Sequence, residues 1–121
     1  MGDRANVVIK NGDEEVFLYT HSEGHDLPSV VSGALALKQR WDDPQYLARI
    51  VFTHMTQGSN SLKDTTGFGI SATMGDNSYP LIVLDTVKRE LRFEEEDRSR
   101  VLKQMPFEMA AKKLAWPKEE K

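Results

Sequence analysis

The stretch NVVIKNGDEEVFLYTH, residues 6–21, has the pattern of a β-hairpin. Two runs of β-branched, aliphatic and aromatic residues flank Asn11-Gly12, a dipeptide that strongly favours a tight turn between antiparallel strands. Because side chains alternate along a strand, one face of this hairpin is apolar and is predicted to contact the core. Its members are Ala5, Val7, Ile9, Val16 and Leu18.

The opposite face of the hairpin becomes polar toward the end away from the turn. It carries Arg4, Asn6, Val8, Phe17, Tyr19 and His21. With a four-residue loop, Asn6 lies opposite Tyr19 and Arg4 lies opposite His21, whereas a two-residue loop shifts the partners by two residues and keeps the faces. This polar end is where the hairpin would contribute to a functional site.

Two helices are predicted after the hairpin. Asp26 or Leu27 is the expected cap of the first, and Pro28 stands near its first position, where a missing backbone N–H costs nothing. The second is predicted to begin with Asp43 as N-cap and Pro44 as first residue. Apolar residues recur at helical spacing in both, at Leu27, Val30, Val31, Ala34, Leu37, Trp41, Leu47, Ile50, Val51 and Met55.

The chain then returns to strands. Gly58 is the expected end of the second helix, and a polar loop follows it. GFGISATM (67–74), LIVLDT (81–86) and VKRELRF (87–93) are predicted strands. The middle one is apolar on both faces, which indicates a central position, and the last has the alternation of a half-buried strand.

The remaining residues are predicted to be helical and then disordered. RSRVLKQM (98–105) and PFEMAAKKLAW (106–116) have the composition of two short helices separated at Pro106, and PKEEK is expected to be disordered. The predicted domains are one α+β domain over 1–96, a helical extension over 97–116 and a disordered tail over 117–121.

The predicted fold class is α+β. The element order is β-β-α-α-β-β-β-α, in which a hairpin and a three-stranded meander enclose two helices. This order predicts an antiparallel sheet of about five strands with the helices packed on one face.

Composition and charge restrict the classes of protein to which the chain could belong. Its 121 residues contain no cysteine, which excludes disulfides, thiolate metal ligands and a cysteine nucleophile. The net charge is −3, from 16 basic and 19 acidic residues that are mixed along the chain, so we expect no direct nucleic-acid binding. No run approaches about 18 apolar residues, so we expect no signal peptide, no membrane span and a cytoplasmic location.

The segment YTHSEGHDLP, residues 19–28, contains two of the three histidines and two acids. His21 is expected at a strand end beside Tyr19, whereas His25 and Asp26 precede the helix. A four-residue spacing of histidines indicates zinc on a helix, but in a loop it does not align the imidazoles, so no metal site is predicted. The segment is either a recognition loop or only the connection that caps the helix.

The third histidine, His54, lies on the apolar stripe of the second predicted helix. It is either a hydrogen-bonded core residue or a base that reaches toward Arg4, Tyr19 and His21. The sequence alone does not show that these groups meet.

Two patterns that would indicate cofactor or hydrolase chemistry are incomplete. GFGIS, residues 67–71, contains a Gly-x-Gly, but it lacks a third glycine and the helix that a dinucleotide site needs. No G-x-S-x-G stretch is present, so a serine hydrolase of that kind is not supported. No cofactor is predicted.

Four stretches together resemble a family of small bacterial and phage-encoded proteins that carry no assigned function. They are MGDRANVVIKNGDEEVFLYTHSEGHDLP (1–28), RWDDPQYLARIVFTHM (40–55), TGFGIS (66–71) and GDNSYPLIVLD (75–85). The resemblance spans roughly residues 1–93, and family members often carry an aromatic residue where this chain has Ser22. It implies a soluble cytosolic domain of bacterial or phage origin and transfers no activity.

The leading hypothesis is a small cytosolic binding protein, of phage or mobile-element origin, that binds and modulates a host protein. The short chain, its acidic front part and the lack of a complete catalytic constellation favour it. The predicted contact residues are Arg4, Tyr19, His21, Glu23, His25 and Asp26. An exposed edge strand could also pair two copies into a homodimer.

Two alternatives stay open. One is a small hydrolase in which His21 is the general base, Arg4 stabilises developing negative charge and Tyr19 orients the substrate, with His54 as a further catalytic candidate. The other is a domain that sequesters a small ligand and needs a pocket but no base. A concave pocket that joins these four residues would favour the enzyme, and a flat acidic or apolar patch would favour the binder.

Overall fold

The computed structural model describes residues 3–57 and 67–118. In these residues a six-stranded sheet carries two main helices on one face, and the chain order is ββααββββα. The strands are β1 (Ala5–Asn11), β2 (Glu14–Thr20), β3 (Phe68–Ser71), β4 (Leu81–Asp85), β5 (Glu90–Glu94) and β6 (Val101–Pro106). The helices are α1 (Leu27–Leu35), α2 (Pro44–Thr56) and the single-turn α3 (Phe107–Ala110).

The sheet has the strand order β3-β2-β1-β4-β5-β6. Every neighbouring pair is antiparallel except β1 and β4, which run parallel. The α+β class and the placement of the helices are therefore confirmed, but the sheet has six strands rather than about five. The two central strands begin at the same end of the sheet because they are parallel.

The hairpin has the predicted faces. Asn6 pairs with Tyr19, which is the register expected for a four-residue loop, although only Gly12 and Asp13 separate the last pair, Asn11 and Glu14. The apolar face of the hairpin packs against the helices, and four of its residues, Ala5, Val7, Ile9 and Leu18, are buried in the main core. The other elements contribute Leu27, Val31, Leu47, Val51, Ile82, Leu84, Leu91 and Phe93 to this core. Val16 is only partly buried against this core.

The prediction of a helix over residues 98–105 is wrong, because Val101–Pro106 forms an edge strand paired with β5. Helix propensity is a weak preference, and here the open backbone edge of β5 offers hydrogen-bond partners that outweigh it. Strand pairing also places Met105 opposite Leu91 and buries it in the core.

The segment predicted as a second terminal helix is helical only for the turn of α3. Its side chains Phe107, Ala110 and Leu114 are nevertheless buried in the main core, so this part of the chain packs against the sheet and helices. Pro117 and Lys118 have no regular secondary structure. Gly58, the predicted end of the second helix, and residues 119–121 of the predicted disordered tail lie outside the described residues.

The first helix is shorter than its apolar pattern predicts. It ends at Leu35, and Lys38 and Arg40 adopt positive φ angles of 54° and 60° that cannot continue a right-handed helix. Leu37 is therefore 48% exposed rather than in the core. Trp41 still packs against the core, and its indole N–H donates to the carbonyl oxygen of Leu35 at 3.2 Å.

The two predicted caps differ in their contacts, which gives a matched prediction. The carboxylate of Asp43 accepts a hydrogen bond from the amide of Tyr46 at 3.3 Å, whereas Asp26 holds the cap position of α1 without a side-chain cap bond. We expect Asp43→Ala to lower the free energy of unfolding by about 1 kcal/mol and Asp26→Ala by less than about 0.5 kcal/mol. Urea unfolding of both variants measures this, and equal losses would contradict the assignment.

Candidate functional site

The predicted site residues lie at one end of the sheet, which we call the loop end. The strands β1 and β4 begin there, and β2 and β5 end there. Three connecting segments meet at this end: residues 21–26, which lead into α1, residues 72–80, which lead into β4, and residues 95–100, which lead into β6. Side chains that are far apart in sequence are therefore brought together.

His25 is held at the loop end by Asp3. The backbone amide of His25 donates to one carboxylate oxygen of Asp3 at 2.8 Å, and its imidazole Nδ1 forms an ion pair with the other oxygen. The hydroxyl of Tyr79 also interacts with this carboxylate. One carboxylate thus joins the start of the chain, the loop before α1 and the segment before β4.

These contacts change the acidities of the three groups. The hydrogen bond to Asp3, and then the negative charge of that residue, raise the pKa of His25 above its ordinary value of 6.5. Burial tends to raise the pKa of Asp3, but the hydrogen bonds from Tyr79 and His25 outweigh it and the net pKa is lowered. The hydrogen bond to Asp3, followed by burial, raises the pKa of Tyr79.

We expect Asp3→Asn to lower the pKa of His25, because it removes the largest cause of the shift. The raised pKa means that the pair stabilises the fold below pH 6.5 and that this contribution is lost as the pH rises through the folded-state pKa of His25. The lowered pKa of Asp3 means that the contribution is also lost in acid. An NMR titration of the imidazole measures the change.

Glu23→Gln is the matched control for this prediction, because the charge of Glu23 is only a lesser cause of the shift in His25. The control should lower the pKa of His25 less than Asp3→Asn does. A fall of equal size in both variants would show that general negative charge, and not the pair with Asp3, sets the pKa.

A pair of stacked aromatic rings packs against the loop before α1, residues 21–26. The rings of Tyr79 and Trp116 are stacked at 4.7 Å between centroids with an interplanar angle of 10°, and Phe93 lies beneath Trp116 at 5.7 Å. The indole N–H of Trp116 donates to the carbonyl oxygen of Gly24 at 2.9 Å. A side chain on Gly24 would approach Tyr79 to 2.8 Å and the Asp3 carbonyl oxygen to 2.7 Å, so only glycine permits this packing.

The aromatic stack forms one wall of an open groove of about 1010 Å³. Pro80 and Pro117, next to the two rings, continue this wall, and Val101 and Leu102 at the start of β6 contribute further apolar surface. The charged lining residues are Glu95, Glu96, Arg100 and Lys118. Val101 is 45% exposed, so the groove offers apolar surface as well as charged side chains.

A buried amide fixes the segment that leads to Tyr79. The side chain of Asn6 is inaccessible to solvent, and its oxygen accepts from the amide of Gly75 at 3.2 Å. Its nitrogen donates to the carbonyl oxygens of Gly75 and Asp76 and to the side-chain oxygen of Asn77, at 3.2, 3.3 and 2.9 Å. Gly75 also lies against the ring of Tyr19, where an added Cβ would come within 2.9 Å.

The other predicted residues are placed around this arrangement. The Tyr19 hydroxyl, at the end of β2, lies 3.4 Å from Nδ1 of His21, which directly follows that strand. The Arg4 guanidinium pairs with Asp76 at 3.3 Å in an exposed position, and its Nε is buried without a partner among the described residues. These three residues lie at the loop end, but none of them lines the groove.

Glu23, Asp26 and His54 contribute less directly. Glu23 and Asp26 are exposed on either side of His25, and their charges add to the rise in its pKa. His54 lies on the helix-covered side of the sheet, where it hydrogen-bonds the Ile50 carbonyl oxygen at 3.0 Å and lies beside Gly33 of α1. The structure does not bring His54 together with Tyr19 or His21, which are on the hairpin's other face.

The groove residues were missed in the sequence because they come from four separate segments. Tyr79 was part of a predicted turn, Trp116 part of a predicted helix, and Val101 part of another helix that is in fact a strand. A signal was present in the two aromatic-proline pairs, Tyr79-Pro80 and Trp116-Pro117, because prolines fix extended backbone beside the rings.

The part of the chain that the structure describes has neither a cluster of metal ligands nor a membrane-spanning helix. No group of three or more His, Cys, Asp or Glu there is placed to hold a metal ion. No helix within residues 3–57 and 67–118 has both the length and the apolar character needed to span a bilayer. Comparison with protein-family models, with curated proteins and with solved structures finds no match to this chain.

Proposed function

We propose that this chain is a small binding protein that recognises a segment of a protein partner in the groove at the loop end. The observation that carries the proposal is the open groove of about 1010 Å³ with the stacked Tyr79 and Trp116 in its wall. Tyrosine and tryptophan are enriched where proteins bind one another, because they bury much area and lose little side-chain entropy.

The loop between β2 and α1 has a supporting role in this proposal. Gly24 accepts the hydrogen bond of Trp116, and Asp3, which binds His25, interacts with the Tyr79 hydroxyl. The recognition loop expected from the sequence therefore acts by positioning the aromatic wall, with His21 and Glu23 exposed beside it. Following the family resemblance, the partner we propose is a host protein in the bacterial cytoplasm.

The shape and lining of the groove favour a protein segment over a small molecule. Sites for small ligands enclose most of the ligand surface, whereas this groove is open and lined by both apolar and charged side chains. The hydrolase alternative needs His21 and Arg4 at a substrate pocket. The side chain of His21 contacts Tyr19, that of Arg4 contacts Asp76, and neither residue lines the groove. No described contact favours catalysis by these groups.

Two exposed valines provide a matched test. Val101 lines the groove, and Val87 is 67% exposed in the turn between β4 and β5 at the opposite end of the sheet. The wild-type chain, Val101→Asp and Val87→Asp are each used to capture protein from bacterial lysate, and the captured protein is quantified by mass spectrometry. We expect one protein that the wild type and Val87→Asp retain equally and that Val101→Asp retains at least about tenfold less.

Two outcomes would contradict the proposal. Equal capture by both aspartate variants would show that the partner binds elsewhere on the chain. If no variant captures a protein and native mass spectrometry of the purified chain shows a retained small molecule, the ligand-sequestering alternative is correct instead.

A further inference from the structure

The two edges of the sheet differ in how they are protected against pairing with another strand. At the edge formed by β6, Lys103 and Gln104 are exposed and Pro106 ends the strand, and such features disfavour the addition of a further strand. At the other edge, β3 and its flanks, residues 67–75, contain neither a charged residue nor a proline. The edge of β3 therefore lacks the protection that the edge of β6 has.

The side chains of one row across the sheet show the same difference. The row on the helix-covered face runs through paired residues of all six strands, in the order Ile70, Leu18, Val7, Ile82, Phe93 and Lys103. Its inner members are at most 1% exposed, and it ends in a lysine at the edge of β6. At the edge of β3 it ends in Ile70, which is 63% exposed. Among the strands that the structure describes, the apolar row thus stops at β3.

The backbone of Ile70 is oriented for a neighbour on that side. The amide of His21 donates to the carbonyl oxygen of Gly67 at 3.0 Å, which marks this pair as a hydrogen-bonded one. Because such pairs alternate along antiparallel strands, Gly69 and Ser71 direct their amides and carbonyls at β2, and Phe68 and Ile70 direct theirs away from it.

We propose that two copies of this chain associate by antiparallel pairing of their β3 edges about a two-fold axis. A second copy fits because β3 is uncharged, so that self-pairing places no like charges opposite each other, and because it continues the apolar row with the partner's own apolar residues. The assembly closes at two copies, since each then presents only the protected β6 edge.

The pairing leaves the groove of each copy accessible. The groove extends from residues 77–80, before β4, to the start of β6, which is five strand spacings or about 24 Å across the sheet from β3, and none of its lining residues belongs to β3. A strand of four residues buries less area than a standard protein interface, so the dimer should be reversible and its population should depend on concentration. This proposal is independent of what the groove binds.

Sedimentation equilibrium of the full chain, from about 10 to about 500 µM, tests the proposal. We expect the mass of the wild type to rise from 13.7 kDa toward twice that value. Ile70→Lys keeps the backbone amide but sets a charge on each copy at the pairing edge, and Ile70→Pro removes the outward amide. Each should weaken the association constant at least about tenfold.

Gln104→Lys is the matched control, because it adds the same charge at the exposed edge of β6. It should dimerise like the wild type, and circular dichroism should show that all three variants keep the wild-type fold. A wild type that stays at 13.7 kDa over the whole range would overturn the proposal. So would an association that Gln104→Lys weakens and Ile70→Lys leaves unchanged.

Discussion

Arg92→Met is expected to lower the free energy of unfolding by about 3 kcal/mol at pH 7. Arg92 lies on the sheet face opposite the helices, only 9% exposed, and contacts Asp85 and Glu94 at 3.1 Å each and Glu90 at 3.3 Å. Asp85 and Glu94 are themselves 4% and 7% exposed. Removing the guanidinium leaves two buried carboxylates without a main partner, and buried unpaired charge is costly.

The expected loss is at the lower end of what breaking a buried ion pair costs, because both carboxylates keep other contacts. Asp85 still accepts from the backbone amides of Val87 and Lys88, at 3.1 Å each. Glu94 still accepts from the guanidinium of Arg98 at 2.9 Å, and Arg98 also forms a two-bond pair with Glu15. The network is therefore weakened at its centre rather than removed.

The loss should depend on pH in a defined direction. Burial tends to raise the pKa of Asp85, but hydrogen bonds from the Lys88 amide and Arg92 outweigh it and hold the pKa below 3.8. In the wild type the contribution of Asp85 to stability is therefore present above pH 3.8 and is lost as the pH falls through the lower folded-state pKa. Without Arg92 the buried carboxyl protonates more readily, so the difference between variant and wild type should shrink toward pH 4.

Arg100→Met is the control for this prediction. Arg100 pairs with Glu95 at 2.7 Å, but the two side chains are 69% and 38% exposed, so water screens the pair and its loss should cost less than about 1 kcal/mol. Urea unfolding of both variants at pH 7 and pH 4 gives the comparison. Equal losses at pH 7, or a difference that does not shrink in acid, would show that Arg92 does not act through its buried carboxylates.

The local features of this fold were predictable, and the long-range ones were not. The hairpin from Ala5 to Thr20 follows from alternation and a turn dipeptide, which are properties of neighbouring residues. The strand β6 exists because β5 offers it a backbone edge, and no property of Val101–Pro106 alone signals that pairing. In the same way Arg92 suggested a half-buried strand, yet Asp85, Glu15 and Arg98 from other segments join Glu90 and Glu94 of the same strand in an ionic network around it.

The same distinction between local and long-range features applies to the candidate site. The loop from His21 to Asp26 could be singled out because its polar residues are adjacent in sequence. The stack of Tyr79 on Trp116 could not, because it forms only when β4 and the C-terminal segment are brought to the same end of the sheet. The sequence therefore located the support of the groove and missed its wall.

Asn6→Ala is expected to lower the free energy of unfolding by about 3 kcal/mol, because it removes four hydrogen bonds made by a side chain that is inaccessible to solvent. Asn6 is the single residue that joins β1 to the backbone of Gly75 and Asp76 and to the side chain of Asn77 among the described contacts. Alanine can neither donate nor accept there, and its smaller volume leaves a void.

The same substitution should also act on the groove, since the segment that Asn6 holds leads directly to Tyr79. Capture of a groove partner by Asn6→Ala should therefore fall at a temperature where the variant is still folded.

Asn77→Ala is the matched control for the loss of stability. It removes one exposed contact to Gly75 and one bond from Asn6, and it should lower the free energy of unfolding by less than about 1 kcal/mol. If the two variants lose equal stability, the buried amide of Asn6 does not hold this segment. If Asn6→Ala loses stability but binds its partner normally, the aromatic wall is positioned by Gly24 and Asp3 alone, which would place the recognition function in the loop that the sequence first indicated.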